Sequence, residues 1–517
     1  MTSEEIDKLH DFYEYEVDFE KAKLKSITFD RLSICRKLME LGFYRYDTDD
    51  DVSLLVRIHN NKISITKEVF VVDTFEKYIK DLPTRSFTVT SKDESTTREI
   101  HITSELLLKK IYKDIKSYIK NNLDRLRPDF EINLLQDEEK KKYFFFSNVA
   151  VCVTPARIET IPYEELNGFI WESAIVQRPF NFVEIKGDFE KFIENVTFNE
   201  EERKISMMTM LGYLMHDYYE CNLFAVIFTD ENKSNSLSSA GGTGKGIIGK
   251  ALSCMLNRTA NDIQYLSISG KNIDLFSDKR YMKANINTQL IHIEDIKKNP
   301  DFEQLYNDIA DDVEIKKHYK EPFKRKIKFM ISTNQTISLD GESSKRRARV
   351  MELKNHYGKD WTPEDEFGKR FFESKWDEMD WSCFYSFMCM ATQLYLQKGV
   401  VEAEEKNYQI RTLYTKTSED FVYYLDEKFN IFGSKKERKY DKKYIYDTFI
   451  QLDPTCRWSL KLFNNNIRLY MNTKNIPYEE IREGNNTRMW CLFPTAETRA
   501  AALAAKQAAT KVLQDEE

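Results

Sequence analysis

Apolar and amphipathic segments alternate through the central part of the chain. Residues 223–228 form an uninterrupted apolar run with the length of a buried strand. After it, apolar side chains recur at helical spacing, at Ile247, Ile248, Ala251, Leu252 and Met255. Two further apolar runs, 289–295 and 327–334, each end in polar residues. Strands that alternate with helices are typical of an α/β domain with a mostly parallel sheet, which we expect over residues 221–400.

The regions on either side have other patterns. Residues 1–140 mix helix and strand patterns, which predicts an α+β domain of unknown role. Its expected elements are strands near 52–58 and 63–72 and helices near 29–41 and 106–123. For residues 141–220 we expect a mostly helical region that serves oligomerisation. Residues 401–495 are expected to form a DNA-binding domain, within which residues 421–493 follow the order helix, helix, helix, hairpin. Residues 496–517 are an alanine-rich tail.

Composition restricts the class of protein. The chain has 517 residues, of which 41% are hydrophobic, enough for about two to four packed domains. It lacks an apolar run of the roughly 18 residues that cross a membrane, and its first residues lack the apolar core of a signal peptide. The eight cysteines are scattered, so we expect reduced thiols and a location in the cytoplasm of a host cell. The chain has a formal net charge of −7. Contact with a nucleic acid would therefore depend on local basic patches.

A glycine-rich turn separates the predicted strand at 223–228 from the helix that follows it. The turn consists of Ala240, Gly241, Gly242, Thr243, Gly244, Lys245 and Gly246. Backbone N–H groups, a helix N-terminus and a lysine converge in such a turn, which suits a nucleoside triphosphate. The general pattern G-x-x-x-x-G-K-[ST] is broken at two positions. Ser239 replaces the first glycine, and Gly246 replaces the hydroxyl residue that contacts Mg²⁺, so Thr243 or a water must take that role. A surface turn is the alternative interpretation.

Two acidic residues end the apolar run at 289–295. In an ATP site one such carboxylate holds Mg²⁺ and the other polarises the attacking water. We assign Glu294 to the metal and Asp295 to the water, with the reverse assignment left open. A solvated acidic turn is the alternative interpretation. His292, inside the run, is interpreted as a buried core histidine rather than a ligand.

The next apolar run, 327–334, is followed by two further candidates. Asn334 ends the run and is expected to orient the water or the γ-phosphate, unless it only opens a turn. Arg346 and Arg347 follow in a basic stretch, where an arginine finger would stabilise charge on the transferred phosphate of a neighbouring subunit. We favour Arg347, although spacing alone does not choose between the two. A solvated basic loop is the alternative.

A basic segment with interleaved aromatic residues lies between the acids and Asn334. Its candidate DNA contacts are Lys316, Lys317, His318, Tyr319, Lys320 and Lys324. Such a segment can follow a phosphate backbone electrostatically and stack on bases. The alternative is a solvated charged surface.

In this order, these features resemble superfamily 3 helicases, and in particular the helicase half of phage and poxvirus-type primase–helicases. The shared features are the glycine–lysine loop, the two acids, Lys-Glu-Pro-Phe at 320–323, Ser-Thr-Asn at 332–334 and the arginine pair. The likeness covers about residues 145–395. It implies an AAA+-like P-loop NTPase core that uses ATP and Mg²⁺. It also implies a homo-hexameric ring that moves 3′→5′ along single-stranded DNA and works with a primase or origin-binding partner, away from membranes.

The C-terminal pattern agrees with DNA binding. Helices are predicted at 441–452 and 459–472, and Gly484-Asn-Asn486 marks a hairpin within 476–493. Helices followed by a hairpin resemble a winged helix, a DNA-binding variant of the helix-turn-helix. A winged helix that contacts protein is the alternative.

The sequence therefore predicts an ATP-dependent replicative DNA helicase of a phage or mobile element. One alternative is a bifunctional primase–helicase, since Asp47-Thr-Asp49 resembles the metal-binding pair of a polymerase. The other is a non-translocating, NTP-dependent scaffold that binds a DNA origin. Glu294, Asp295, Asn334 and Arg347 together argue against an inactive ATPase.

Overall fold

The chain folds into two compact units. The computed structural model describes residues 12–47, 53–231, 242–256, 263–271, 277, 279–296, 302–316, 321–334, 336–337, 339, 341–405, 407–429, 437–484, 487–500 and 503. The first unit contains residues 1–153, 158–180 and 258–262, and the second contains residues 154–157, 181–257 and 263–517. In the described part of the chain, no helix has the length and apolar character needed to cross a membrane.

The first unit is an α+β assembly of small sheets, as expected. Its strands are β1 (Tyr13–Asp18), β2 (Lys23–Phe29), β3 (Phe43–Asp47), β4 (Ser53–His59), β5 (Lys62–Ile65), β6 (Arg85–Thr90), β7 (Thr97–Ile102), β8 (Lys142–Phe145), β9 (Ala150–Val153), β10 (Ile158–Ile161) and β11 (Ile170–Trp171). Its helices are α1 (Arg31–Glu40), α2 (Glu68–Lys80), α3 (Ser104–Ile111) and α4 (Ile115–Tyr118). The sheets have the orders β1-β2, β6-β7, β10-β9-β8 and β11-β5-β4-β3.

Two predictions for this unit differ from the structure. The strand predicted at 63–72 ends at Ile65, and helix α2 begins at Glu68. The buried residues of α2 are Val71, Phe75 and Ile79, which recur every four residues. This helical spacing shows only when the residues after 72 are included. The unit also extends to residue 180 rather than 140, because β11 pairs with β5 and brings residues expected in a helical region into this sheet.

The second unit contains the remaining elements. Its strands are β12 (Ala225–Asp230), β13 (Tyr265–Ser269), β14 (Leu290–Glu294), β15 (Val313–Ile315), β16 (Phe323–Arg325), β17 (Lys328–Ser332), β18 (Ala348–Leu353), β19 (Arg438–Asp441), β20 (Tyr478–Glu483) and β21 (Thr487–Leu492). Its helices are α5 (Asp188–Val196), α6 (Glu201–Met215), α7 (Lys245–Leu256), α8 (Tyr306–Ala310), α9 (Gly341–Arg347), α10 (Pro363–Phe367), α11 (Glu378–Lys398), α12 (Tyr408–Lys416), α13 (Glu419–Lys428), α14 (Lys442–Leu452) and α15 (Leu460–Thr473).

A five-stranded sheet forms the centre of this unit, in the order β13-β14-β17-β12-β18. Every pairing in it is parallel, which confirms the predicted mixed α/β architecture. The strands are continuous apolar runs because both faces of a parallel sheet are covered. Strand β17 lies between β12 and β14. The carboxyl ends of these three strands, which the sequence predicted to carry the chemistry, are therefore adjacent.

Helices α6 and α11 pack closely beside this sheet. A side chain at Gly212 would approach Tyr395 Cβ at 2.6 Å and the carbonyl oxygen of Ala391 at 2.7 Å, so this crossing requires glycine. The buried amine of Lys328, on β17, donates to the carbonyl oxygens of Tyr213, at 2.8 Å, and His216. It thus satisfies backbone groups at the end of α6 that the helix leaves without partners.

Helices α13, α14 and α15 and the final hairpin follow the predicted order, whereas strand β19 was not predicted. Helices α14 and α15 begin after Asp441 and Ser459, whose side chains accept hydrogen bonds from the first helical turn. Strands β20 and β21 form the predicted hairpin, and β19 completes an antiparallel sheet in the order β19-β21-β20. A cluster that includes Phe421, Phe449 and Trp490 holds the helices on the sheet.

Candidate functional site

The glycine-rich turn leads directly into helix α7. Gly242 and Gly244 have φ angles of +111° and +107°, a region that favours glycine. A side chain at Gly244 would also approach Phe192 Cζ at 2.6 Å. Ala240 and Gly241 lie outside the described residues. Strand β12, the turn and α7 have the arrangement that exposes backbone N–H groups at a helix N-terminus.

Lys245, the first residue of α7, pairs with the aspartate that ends β12. Its amine contacts the carboxylate of Asp230 and donates to Thr243 Oγ1 at 3.1 Å. The Thr243 hydroxyl in turn donates to Asp230 Oδ1 at 2.5 Å. Burial lowers the pKa of Lys245, and the charge of Asp230 opposes this shift. Sequence reasoning missed Asp230, although an acid that ends an apolar run was the signal used at Glu294.

A second buried cation, Arg411 on α12, lies next to this pair. Its side chain is 2% exposed, and its Nη2 lies 3.6 Å from Glu352 Oε1. Its Nη1 donates to Thr229 Oγ1 at 3.2 Å, one residue before Asp230. Burial lowers the pKa of Arg411, and Glu352 opposes this shift most strongly. No spacing signal in the sequence marked Arg411, because it lies outside the predicted ATPase region.

Glu294 and Asp295 lie at the carboxyl end of β14, and both side chains are 51% exposed. Glu294 accepts a hydrogen bond from Ser267 Oγ at 2.8 Å. Asp295 has a φ of +52° and lies 2.9 Å from the Lys271 amine. Its backbone N–H donates to the carbonyl of Ser332 at 2.9 Å. The two carboxylates therefore have different neighbours, which gives them separate chemical environments.

His292 lies buried below these acids, as predicted. Its Nδ1 is 2.5 Å from the Tyr265 hydroxyl, and its Nε2 contacts the Ser332 hydroxyl. Burial lowers the pKa of His292 to about 4. The ring is therefore neutral near pH 7, and it joins β13, β14 and β17 below the site.

The third strand end carries Asn334, two residues beyond β17. Ser332 is opposite Glu294 on one side and opposite Phe228 on the other. The Thr333 N–H donates to the Phe228 carbonyl at 3.0 Å. Half-buried Asn334 therefore leaves the sheet between the strand of the turn and the strand of the acids.

A cavity of about 570 Å³, here called the loop cavity, lies beside the turn. This volume falls within the range of small-molecule sites. The residues that line it are Gly242, Gly244, Gly246, Ile247, Gly249, Lys250, Ser253, Tyr265, Ser267 and Glu294. Among the described residues, no group of three His, Cys, Asp or Glu side chains can hold a metal. Mg²⁺ at nucleotide sites is bound by one or two carboxylates plus phosphate oxygens, so Glu294 and the open cradle fit it.

The two candidate arginines differ in their surroundings. Arg347 Nη1 donates to Ser343 Oγ at 2.6 Å, and its guanidinium lies 5.0 Å from the centre of the Tyr306 ring. Arg346, one residue earlier on α9, is exposed. The surroundings thus favour Arg346 as the arginine that reaches another molecule, although the sequence analysis favoured Arg347.

The basic aromatic segment is described only at its ends. Strands β15 and β16 pair antiparallel, with Ile315 opposite Phe323. Lys316 and Lys324, next to and within these strands, are exposed. Lys317, His318, Tyr319 and Lys320 lie outside the described residues, and their proposed DNA contacts stay predictions.

The possible polymerase metal pair is also only partly described. Asp47 ends β3, and its carboxylate lies 2.9 Å from Arg45 Nε. Thr48 and Asp49 lie outside the described residues. The primase alternative therefore stays a prediction.

Comparison with known proteins gives only distant similarities. No protein-family model and no curated protein matches the chain. Among solved structures, the apo C-terminal region of NrS-1 is 13% identical, with 68% of this chain and 96% of that chain covered at a TM-score of 0.36. The JCV helicase with a bound small molecule is 11% identical, with 44% of this chain and 60% of that chain covered at a TM-score of 0.24. Similarity at this level carries no argument about function, which rests on the geometry of the site.

Proposed function

We propose that the protein is an ATP-driven DNA helicase of the superfamily 3 type, which acts as a ring on single-stranded DNA during replication of a phage or mobile element. The observation that carries the proposal is the strand order β14-β17-β12. In this order, a lysine-bearing turn, a pair of acids and an asparagine belong to three adjacent strand ends. ATP hydrolysis requires such groups close together. The lysine binds the triphosphate, an acid polarises the attacking water, and the asparagine contacts the γ-phosphate.

Each group has a chemical role in this proposal. The turn N–H groups and Lys245 bind the β- and γ-phosphates, and Lys245 then exchanges Asp230 for the phosphate as its partner. Asp295 accepts a proton from the attacking water, and Asn334 orients that water. Glu294 would hold Mg²⁺, which supplies charge neutralisation at the phosphate oxygens. Arg346 of a neighbouring subunit stabilises the transition state.

Variants of the loop and the acids test this assignment. Lys245→Ala is expected to abolish ATP hydrolysis, because it removes the cation that the turn directs at the phosphates. Glu294→Gln and Asp295→Asn are expected to bind nucleotide but to lose hydrolysis by at least about 100-fold. Turnover and nucleotide affinity are measured on the same preparations, with exposed Lys326→Ala as a control that keeps both. Normal hydrolysis in Lys245→Ala would exclude the proposal.

Dependence on DNA separates the proposal from its alternatives. A helicase hydrolyses ATP faster with single-stranded DNA and unwinds a duplex that has a 3′ single-stranded tail. An origin-binding scaffold binds DNA without unwinding it, and a primase–helicase also makes primers from ribonucleotides. Strand separation and primer synthesis assays on the full chain therefore distinguish the three functions.

DNA contacts are proposed for the β15–β16 segment and for the C-terminal winged helix formed by α14, α15 and the β20–β21 hairpin. The exposed lysines at 316 and 324 fit a phosphate backbone. Lys324→Ala is expected to reduce the salt dependence of single-strand binding by roughly 0.7 in log–log slope per lost contact. An unchanged slope would move the phosphate contact elsewhere.

A further inference from the structure

A metal-binding hydroxyl is missing from the glycine-rich turn. The position after the loop lysine usually carries Ser or Thr, and here it is Gly246. Thr243 is a poor substitute, because its hydroxyl already donates to Asp230 at 2.5 Å and accepts from Lys245 at 3.1 Å. Another protein hydroxyl that replaces it must therefore come from an element that reaches the loop cavity.

We propose that Ser267, on strand β13, supplies this hydroxyl to the divalent cation of the nucleotide site; the inference rests on the proposed function. Ser267 lines the loop cavity together with Gly246 and Glu294. Its hydroxyl donates to Glu294 Oε1 at 2.8 Å. A serine and a carboxylate within one hydrogen bond of each other, open to the cradle, form an oxygen pair of the kind that Mg²⁺ takes beside phosphate ligands.

The register of the sheet explains why Ser267 can serve this site. Strands β13 and β14 are parallel, with Ser267 opposite His292 and Ser269 opposite Glu294. Because side chains alternate along a strand, Ser267 lies on the same face as Tyr265, whose hydroxyl holds His292. That hydrogen bond joins β13 to β14 on the same face, where the Ser267 hydroxyl donates to Glu294.

Gly246 has room for a side chain, so steric crowding does not explain why glycine replaces the usual Ser or Thr. Among the described residues, no heavy atom lies within 4 Å of a Cβ built at Gly246. A serine at this position therefore fits without moving its neighbours. A serine at position 246 can therefore restore a hydroxyl near the cavity after the hydroxyl of Ser267 is removed. A double variant can test this directly.

The test measures metal affinity rather than turnover. Mn²⁺, which takes carboxylate, hydroxyl and water ligands like Mg²⁺, is titrated into the complex of the full chain with ADP and followed by electron paramagnetic resonance. Ser267→Ala is expected to weaken Mn²⁺ binding by about 10- to 100-fold. Its affinity for ADP in EDTA is expected to equal that of the wild type, because the cradle and Lys245 are unchanged.

The double variant Ser267→Ala with Gly246→Ser is expected to regain most of the lost Mn²⁺ affinity. Ser253→Ala is the matched control, since Ser253 lines the same cavity on helix α7, and it is expected to bind Mn²⁺ as the wild type does. Wild-type Mn²⁺ affinity in Ser267→Ala would overturn the inference. So would equal weakening in Ser253→Ala, or no recovery in the double variant.

Failure of the inference and failure of the proposed function give different results. If the wild-type chain binds ADP with Mn²⁺ but Ser267→Ala is unaffected, only the role of Ser267 is excluded. If Ser267→Ala loses ADP affinity in EDTA, the serine supports the cradle itself and the inference is again overturned. If the wild-type chain binds no nucleotide, both the proposed function and the role of Ser267 are excluded.

Discussion

At the residue level, the charge of Lys245 has a buried carboxylate partner at the end of β12. Its amine contacts Asp230, whose side chain is 1% exposed. A bound phosphate would compete with this carboxylate for the same amine. The nearby buried guanidinium of Arg411 adds positive charge at this strand end, since Asp230 is among the charges that act on it. In the proposed function, this exchange of partners at Lys245 would link nucleotide binding to the end of β12.

The arginine pair gives a prediction at this scale. Arg346→Ala is expected to lower ATP turnover by about 10³-fold or more, the effect of losing an arginine finger, while the melting temperature stays unchanged. Arg347→Ala is expected to lower the melting temperature instead, because it removes the contacts with Ser343 and Tyr306. Turnover and thermal melting are measured on both, with exposed Lys345→Ala as the control.

Mixing subunits tests whether the finger acts between them. Arg346→Ala subunits mixed with Lys245→Ala subunits should regain part of the activity, since some interfaces then combine an intact loop with an intact arginine. Full activity of a strictly monomeric wild-type chain would contradict both the shared site and the ring.

At the scale of elements, helix α7 contains two glycines with opposite surroundings. A Cβ at Gly249 would lie 2.8 Å from the Tyr265 hydroxyl and 2.9 Å from His292 Cε1. The helix can therefore approach β13 and β14 closely only because this position has no side chain. Among the described residues, Gly246 has no such neighbour.

Alanine substitutions at the two glycines should thus differ in sign. Gly249→Ala is expected to reduce the free energy of unfolding by about 1–3 kcal/mol, because the added methyl group would collide with the buried side chains of Tyr265 and His292. Gly246→Ala is expected to leave it unchanged or raise it by up to about 1 kcal/mol, since alanine favours helix. Chemical denaturation without nucleotide measures both, and equal destabilisation would contradict this packing.

An ion-pair network fixes strand β20 against two helices and gives a pH-dependent prediction. Glu480 accepts from Arg468 Nε, on α15, at 2.6 Å and also contacts Lys442, on α14. The hydrogen bond from Arg468, followed by that from Lys442, lowers the pKa of Glu480 to about 2. Since the folded pKa lies below the unfolded one, this stability is complete above about pH 4.5 and is lost as the pH falls towards 2.

Glu480→Gln should therefore show a smaller loss of stability between pH 6 and pH 3 than the wild type. The difference is expected to be about 1 kcal/mol, because the carboxylate is 37% exposed and solvent screens the pair. Urea denaturation followed by tryptophan fluorescence measures it, since Trp490 lies in the same domain core. Identical pH dependence in the two proteins would exclude the network as its source.

At the scale of the whole molecule, the C-terminal part joins the central sheet through helix α12. The backbone N–H of Asn407 donates to both carboxylate oxygens of Glu352, each at 3.1 Å. The Tyr408 hydroxyl contacts the Ile337 carbonyl. Together with the Arg411 contact to Thr229, these bonds make α12 part of the sheet domain, although the predicted boundary lay at residue 401.

Two truncated chains test this boundary. A chain that ends after Thr417 keeps Arg411 and should give a cooperative thermal transition. A chain that ends after Glu405 leaves the buried Glu352 without its guanidinium and should be destabilised by about 3–5 kcal/mol or fail to fold. The melting temperatures of the two truncated chains are compared by circular dichroism. Equal stability would place the end of the sheet domain before α12.

Local sequence patterns were enough to predict three strands of the central sheet, several helices of the second unit and the candidate groups at the strand ends. Short apolar runs at 223–228, 289–295 and 327–334 predicted the strands before the turn, the acids and Asn334, and helical spacing predicted helices α14 and α15. These signals are local, because a strand or helix that buries one or both faces repeats its apolar residues at a fixed interval. The same reasoning gave a wrong element at 63–72, where the segment considered was too short to show the period of α2.

The neighbours of each of these groups depend on how the elements pack together. The pairs Lys245–Asp230, Ser267–Glu294 and Arg411–Glu352 join residues 15, 27 and 59 positions apart. Strand order and register create these contacts, and neither can be inferred from the spacing of apolar residues within a segment. The choice between Arg346 and Arg347 depends in the same way on Tyr306, on another helix. The physical reason is that a side chain's charge state and exposure are set by all elements packed around it, whereas its own segment fixes only the direction in which it points.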